Sequence, residues 1–269
     1  MLTKNKKLVV VLPAYNEEKD VEILVDTWQK LRERLARKYQ LELILVVVND
    51  GSMDQTEQIC VRLEQAYDNF ILVNHEKNKG LGAAVNTGLE YAVNNIRGCQ
   101  CICLMDCDNT QDPHYIFSML DTMYHRRDGF DVVIASRYQN GAKVHGLSNY
   151  RLLTSEGARI LYSFLLPVKN VKDYTCGYRL YSKEIVEKSI KAYQGSFVTE
   201  TGFTCMAEIL YKIKCVGGRF AEVPFELHYE KKEGASKMRV LKTTISSIRL
   251  AIWLRCSSKI RKVEKLWGE

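Results

Sequence analysis

Two carboxylates two residues apart, in Met105-Asp106-Cys107-Asp108, close an apolar run of strand length. At a strand end both can turn toward one divalent cation, which prefers hard oxygen ligands and can be shared with a diphosphate. The chemistry this suggests is neutralisation of charge on a departing nucleotide. An Asp-x-Asp pair alone is equally a solvated turn, so its companions decide. Pro13-Ala14-Tyr15-Asn16-Glu17 and Asn49-Asp50-Gly51-Ser52 each follow another apolar run. Asp50 can accept hydrogen bonds from a base N–H, and Tyr15 offers an aromatic face and a hydroxyl. A second role stays open for these loops, because Asn16 or Ser52 at such places also caps a following helix.

The elements that must position these loops follow from periodicity. Leu8–Leu12, Leu43–Val48, Phe70–Asn74 and Cys101–Met105 read as strands. Glu22–Lys38 reads as a helix, with Ile23, Leu24, Trp28, Leu31 and Leu35 near helical spacing, and Gln55–Tyr67 and Ala83–Asn94 follow suit. Strands without polar alternation, separated by helices, imply a mostly parallel sheet covered on both faces. The expected fold is therefore a doubly wound α/β domain, with its ligand site beyond the carboxyl ends of the strands. All three polar motifs fall there. Beyond about residue 136 the alternation loosens, and Ser136–Tyr181, rich in Arg, Tyr, Gly and Ser, reads as loops and helices that complete the site.

Composition sets the outer bounds. The 269 residues are 46% hydrophobic, enough for one large core with an appended segment. The net charge of +7 is concentrated late: from Lys231 onward there are eleven Lys/Arg against three Glu. Such a segment points to phosphate ligands or an anionic membrane surface. Nucleic acid is disfavoured, since no groove-reading element accompanies the charge. In the same stretch Leu241, Ile245, Ile248 and Ile252 share one helical stripe beside Trp253. This predicts a basic amphipathic helix, either at a membrane surface or packed on the main domain or a partner protein. Its charges are too frequent for a spanning helix, which needs about 20 mostly apolar residues. The nine cysteines include no Cys-x-x-Cys pair and no zinc-like spacing, so buried free thiols in a reducing, cytoplasmic compartment are expected. Cys99, Cys101 and Cys103 alternate onto one strand face, and Met1–Lys7 does not fit a signal peptide.

With the motifs assembled, Pro13–Glu17, Asn49–Ser52, Asn78-Lys79-Gly80-Leu81-Gly82 and Asp106-Cys107-Asp108, in this order and spacing, resemble the inverting family 2 glycosyltransferases of the GT-A fold. The match runs from about Val9 to Lys237. Ser136-Arg137-Tyr138, Arg151 with Ser155, Asp173-x-Thr175-x-Gly177-x-Arg179, Glu222-Val223-Pro224 and Gly234-x-Ser236-Lys237 narrow it. They resemble one branch, the dolichyl- and polyprenyl-phosphate sugar synthases. The resemblance implies that Pro13, Ala14, Tyr15, Glu17 and Asp50 hold the nucleoside. Asp106, Cys107 and Asp108 would meet the diphosphate, with Mg²⁺ or Mn²⁺ on Asp106 and Asp108. Gln111, one position beyond the family's usual Gln, stands as the third metal ligand. Arg137, Arg151 and Ser155 would contact the phosphates of donor and acceptor. Lys231, where Arg is more usual, would be a less directional phosphate partner, and Lys237 would close over the diphosphate. The implied organisation is a catalytic domain over residues 1–235 and a basic tail over 236–269, peripheral on the cytosolic face of a membrane or bound to a membrane-embedded partner.

The acceptor can be argued from charge. Relatives that glycosylate hydroxyls commonly carry an acidic pair that supplies a general base. Here the comparable position is Glu200-Thr201, without the second acid. A phosphate monoester, with a second pKa of about 6, is already mostly dianionic and needs cations instead. Arg137, Arg151, Arg179 and Lys231 are the candidates. Asp173 and Glu200 either hold those arginines or act as bases, and Glu200 has the further alternative of capping a helix at the edge of the core. The implied reaction moves a hexose from GDP-mannose or a UDP-sugar to a polyprenyl phosphate. Two rivals are transfer to a glycan or small-molecule hydroxyl, and a non-catalytic nucleotide-sugar-binding subunit.

Overall fold

The computed structural model describes residues 6–124, 129–146, 149–231 and 240–268, the side chains of 149–154, 231 and 240–243 excepted. Seven strands form one sheet in the order β3-β2-β1-β4-β7-β5-β8. They span β1 Lys6–Ala14, β2 Leu41–Asn49, β3 Phe70–Asn74, β4 Cys99–Leu104, β5 Val132–Ser136, β7 Arg179–Ser182 and β8 Phe220–Pro224. The first four pair in parallel, as expected from runs that carry no polar alternation. Leu8 to Leu12 are fully buried, because helices cover both faces of the sheet.

The helices between these strands are α1 Val21–Tyr39, α2 Thr56–Ala66 and α3 Leu81–Asn95. In α1, Leu24, Trp28, Leu31 and Leu35 recur at three and four residues and line the buried face. Ile23, assigned to that stripe from the sequence, points outward instead and is exposed. The helix stops at Gln40, whose left-handed backbone turns its N–H onto the Ala36 and Leu35 carbonyls.

Beyond residue 136 the sequence reading of loops and helices is incomplete. Strand β7 enters between β4 and β5, antiparallel to both. A second, two-stranded parallel sheet joins β6 Lys143–His145 to β9 Glu226–His228. Four further helices complete the central part: α4 Ile116–Tyr124, α5 Asn149–Leu165, α6 Lys183–Tyr193 and α7 Cys205–Cys215. The last two, α8 Val240–Cys256 and α9 Ser258–Trp267, return to the body of the protein. Helix α8 runs against α5 and α7, burying Ser247, Leu250, Ala251 and Leu254. Its other face keeps Ile245, Ile248 and Ile252 exposed, with Trp253 beside them.

All nine cysteines are free thiols. Burial pushes the Cys60, Cys99 and Cys101 thiols up to about 12, and Cys256 alone is exposed.

Candidate active site

The carboxyl ends of β1, β2 and β4 deliver three loops to one edge of the sheet, and the loops are laced together. The N–H of Asn16 donates to Ser52 Oγ at 3.0 Å, and the N–H of Met53 donates to Asn16 Oδ1 at 2.8 Å. The N–H of Glu17 donates to Thr56 Oγ1 at 2.9 Å. Asn16 and Ser52 therefore bind loop to loop. Neither caps a helix: α1 and α2 begin at Asp20 and Gln55 without a side-chain cap. Ala14 is buried, whereas Pro13, Tyr15 and Glu17 are partly exposed at this edge.

Asp50 is buried and committed to the neighbouring loop. Its Oδ1 accepts from the N–H of Lys79 at 2.9 Å and from His75 Nδ1 at 2.7 Å, and its Oδ2 accepts from the N–H of Gly80 at 2.8 Å. A carboxylate has about four lone-pair positions, so these leave room for about one more donor. His75, absent from the sequence-derived set, is held in turn by Thr87 Oγ1, 2.9 Å from Nε2. Its only sequence signal is a position directly after β3.

The Lys79-Gly80-Leu81-Gly82 turn packs against Glu200 and Thr201. The N–H of Gly82 donates to the Thr201 carbonyl at 3.1 Å. A Cβ at Gly82 would lie 1.7 Å from the Glu200 carbonyl oxygen, so only glycine admits this approach. The segment leading to Glu200 is pinned by a buried ion pair inside α7, Glu208 with Lys212 at 2.6 Å. Glu208 accepts from the N–H groups of Thr199 and Glu200, and Lys212 donates to the Ser196 and Phe197 carbonyls. Burial lowers the Lys212 pKa, which Glu208 only partly offsets. Sequence reasoning passed over this pair. Its signal was two charges at i,i+4 spacing inside an otherwise apolar helix. Glu200 itself accepts from Thr204 Oγ1, the residue at the start of α7, and is not the cap.

Asp106 and Asp108 sit where β4 ends. Asp108 is buried, and its Oδ1 accepts from Thr110 Oγ1 at 2.6 Å. Asp106 Oδ2 accepts from Gln111 Nε2 at 2.7 Å, while Gln111 Oε1 accepts from the N–H of Asp106 at 3.3 Å. The Gln111 amide closes on Asp106 at both ends, which keeps it beside the expected metal pair. Cys107 separates the two aspartates. Its side chain turns into the core, and burial drives its thiol pKa well up. A Cβ on Gly177 would stand 2.8 Å from Asp106 Oδ1, so only glycine admits this close approach to the carboxylate. Two aspartates two residues apart in one turn fit a hard divalent cation in chemistry.

The chain entering β7 links this pair to the arginine. Arg137, at the end of β5, donates through Nε and Nη2 to Asp173 at 2.8 and 2.6 Å, and through Nη2 to Thr175 Oγ1 at 2.7 Å. Asp173 also accepts from the N–H groups of Arg137, Thr175 and Cys176, and has no exposed surface. Burial works against both charges, yet each ion outweighs it for the other. Asp173 is held below its ordinary value and the Arg137 guanidinium is raised. Of the two roles open for Asp173, this geometry supports holding the arginine. Glu222 fixes the same segment, accepting from the N–H groups of Lys172 and Asp173 at 2.8 and 2.7 Å. Ser155 lies 2.7 Å from the Tyr138 hydroxyl, which brings α5 against the Arg137 loop.

Arg179 does not belong with the site. It is buried, donating to the carbonyls of Cys176, Met206 and Tyr174 at 2.9, 2.7 and 2.8 Å, and is a structural bracket. Lys237 and the side chains of Arg151 and Lys231 lie outside the described residues.

A mostly parallel sheet whose carboxyl edge carries an Asp-x-Asp turn, a buried-carboxylate loop and a clamped arginine defines a GT-A type of nucleotide-sugar fold. The chain belongs to glycosyl transferase family 2, whose model matches residues 9–190. It is 31% identical over 235 residues to a dolichol-phosphate mannosyltransferase of Pyrococcus furiosus, covering 87% of this chain and 59% of that protein. It is 28% identical over 249 residues to a polyprenol monophosphomannose synthase of Mycolicibacterium smegmatis, covering 92% and 87%. A dolichyl-phosphate beta-glucosyltransferase of Trichomonas vaginalis is 28% identical over 263 residues, covering 94% and 76%. Among solved structures, glucosyl-3-phosphoglycerate synthase from Mycobacterium tuberculosis, in complex with Mn²⁺, UDP and phosphoglyceric acid, superposes with a TM-score of 0.62 at 17% identity. That match covers 94% of this chain and 79% of the other. Residues 1–349 of TarS from S. aureus superpose with a TM-score of 0.56 at 16% identity, covering 95% and 68%. At these identities the likeness is one of fold.

Proposed function

We propose that the chain transfers a hexose from a nucleotide-sugar, GDP-mannose or a UDP-sugar, to a polyprenyl phosphate in a single inverting displacement. The observation that carries this reading is the state of two carboxylates, Asp173 beside Arg137 and Glu200 beside the Gly82 turn. Asp173 is buried and saturated by its partners, and Glu200 is engaged by Thr204. An acceptor that is already ionised suits such a site better than a neutral hydroxyl that must surrender a proton.

The acceptor phosphate oxygen would bond to the anomeric carbon as the nucleoside diphosphate departs with the electron pair of the broken bond. Arg137, prepaid in its orientation by Asp173 and Thr175, offers fixed positive charge where phosphates meet. Arg151, Lys231 and Lys237 would add to it. Asp106 and Asp108 would hold Mg²⁺ or Mn²⁺, which supplies charge neutralisation on the diphosphate. Pro13, Tyr15, Glu17 and the Asp50 loop would line the nucleoside.

The lipid acceptor calls for a membrane surface. No helix among the described residues is long and apolar enough to cross a bilayer. The outward faces of α5 and α8, which pack together, carry Ile160, Phe164, Ile245, Ile248 and Ile252, with Arg249 and Arg255 among them. An apolar face with basic residues around it suits peripheral contact with an anionic, cytosol-facing bilayer. In this reading residues 236–269 are the contact tail of a catalytic domain over 1–235.

The test is incubation with candidate nucleotide-sugars, polyprenyl phosphate and Mg²⁺ or Mn²⁺, followed by lipid extraction. A charged glycolipid that is lost in Asp108→Ala is expected. Transfer to glycans or small hydroxyls, with indifference to lipid phosphate, overturns the acceptor.

A further inference from the structure

Beside the donor site, and independent of the reaction assigned above, the small sheet brings two histidines and a glutamate together. Strands β6 and β9 pair in parallel with His145 opposite His228, and the two-residue period of a strand puts Glu226 on the same face as His228. The imidazole rings stack with centroids 4.9 Å apart and planes 9° from parallel. Glu226 Oε2 lies 3.6 Å from His145 Nε2 and 3.9 Å from His228 Nε2, and all three ligand atoms fall within 4.8 Å of one another.

These separations are too long for hydrogen bonds. They approach the spacing of ligands around an ion, since N and O atoms about 2.1 Å from a tetrahedral Zn²⁺ stand about 3.4 Å apart. The hydrogen bonds agree. His228 Nδ1 lies 2.8 Å from Glu230 Oε1, so Nε2 is the ring nitrogen on the side of Glu226 Oε2. Glu226 Oε1 accepts from Lys143 Nζ at 2.9 Å, which turns Oε2 inward. His145 Nε2 is shielded from solvent and has no hydrogen-bond partner. A histidine whose far nitrogen is held by a carboxylate is the usual outer shell of a metal ligand.

We propose that His145, Glu226 and His228 bind one divalent transition ion of the Zn²⁺ class. This site is distinct from the oxygen-only pair Asp106 and Asp108. Imidazole nitrogens favour zinc-like ions over Mg²⁺, so the two sites sort ions by chemistry. The ion clamps β6 to β9. The N–H of His228 donates to the Thr110 carbonyl at 2.9 Å, so the clamp also braces the turn that carries Asp108. In chain order β6 leads toward Arg151 and β9 toward Lys237, which places the clamp at the root of both segments.

The test is equilibrium dialysis of the full chain against Zn²⁺ in saturating Mg²⁺, with thermal melts alongside and Co²⁺ substitution as a spectroscopic probe. One Mg²⁺-resistant Zn²⁺ per chain, a raised melting temperature and visible Co²⁺ bands of a low-symmetry nitrogen–oxygen site are expected. His145→Gln and Glu226→Gln, on opposite strands, should each abolish all three. Their metal-free melts serve as fold controls. Glu230→Gln should weaken binding by about tenfold or more. Asp108→Asn should leave the Mg²⁺-resistant ion in place. Binding that survives His145→Gln and Glu226→Gln, or that disappears in Asp108→Asn, overturns the proposal, as does a chain that retains no Zn²⁺ against Mg²⁺.

Discussion

Replacing Asp173 by Asn isolates the electrostatics that hold Arg137 in place. The substitution keeps the shape, yet exchanges one acceptor oxygen for an NH₂ group among donors from Arg137, Thr175 and Cys176. With Asp173 fully buried and Arg137 only 17% exposed, solvent cannot replace the lost charge. Breaking a buried pair from one side costs about 3–5 kcal/mol. At about 2–4 °C per kcal/mol for a domain of this size, melting should fall by roughly 10 °C. The pH dependence has a definite sign. Asp173 is held below its ordinary value, so its contribution is fully present above the unfolded pKa of about 3.9 and is lost as pH falls through the folded value. Urea titrations of wild type and Asp173→Asn should therefore keep a constant gap from pH 8 to about 5, and the gap should narrow in stronger acid. An Arg137→Met, Asp173→Leu double variant should be less destabilised than the two single changes summed. A gap under about 0.5 kcal/mol at pH 7, the size of an ordinary surface substitution, would refute the reasoning. So would a gap that ignores pH.

Three other outcomes follow from the same geometry. Gly82→Ala forces a Cβ onto the Glu200 carbonyl and should cost about 1–3 kcal/mol in urea melts while weakening nucleoside-diphosphate binding; an unchanged midpoint contradicts the close approach. Lys212→Met leaves Glu208 buried without its counter-charge and should cost about 3–5 kcal/mol, which a wild-type-like denaturation curve would disprove. Asp108→Asn should remove the Mn²⁺-dependent part of the thermal stabilisation by GDP or UDP, because a ligand stabilises in proportion to its occupancy. Stabilisation identical to wild type with Mn²⁺ would exclude Asp108 from the metal set.

The first half of the fold was legible because the central stretches of β1, β2 and β4, at Leu8–Leu12, Leu43–Val48 and Cys101–Leu104, are almost wholly buried and carry no polar residue. The reading failed at β7 for a physical reason. Arg179 opens that strand, and its charge hides it from any hydrophobic scan; its guanidinium is satisfied by the carbonyls of Tyr174 and Cys176 just upstream and by that of Met206 on α7. The reversed direction of β7 has a further effect. The segment that precedes it arrives at the sheet edge where the parallel strands leave, and so Asp173 and Gly177 join the site from upstream. Asp106, Asp108 and Asp50 were recognisable from their loops. What they touch was not: Gln111 folds back onto Asp106, and Asp50 spends its oxygens on His75, Lys79 and Gly80. The meeting of His145 with His228 is fixed by register between strands 83 residues apart, which no local pattern records.

The distribution of the thiols makes the molecule chemically addressable. Eight cysteines are at least partly buried, and Cys60, Cys99 and Cys101 stay protonated at neutral pH with thiols near 12. Alkylating reagents react with the thiolate, so the folded protein offers them one accessible address, Cys256. That residue ends α8, beside the exposed Trp253 and one turn after Ile252. An environment-sensitive dye attached there, with no cysteine removed, would sit at the margin of the apolar face and brighten when that face leaves water.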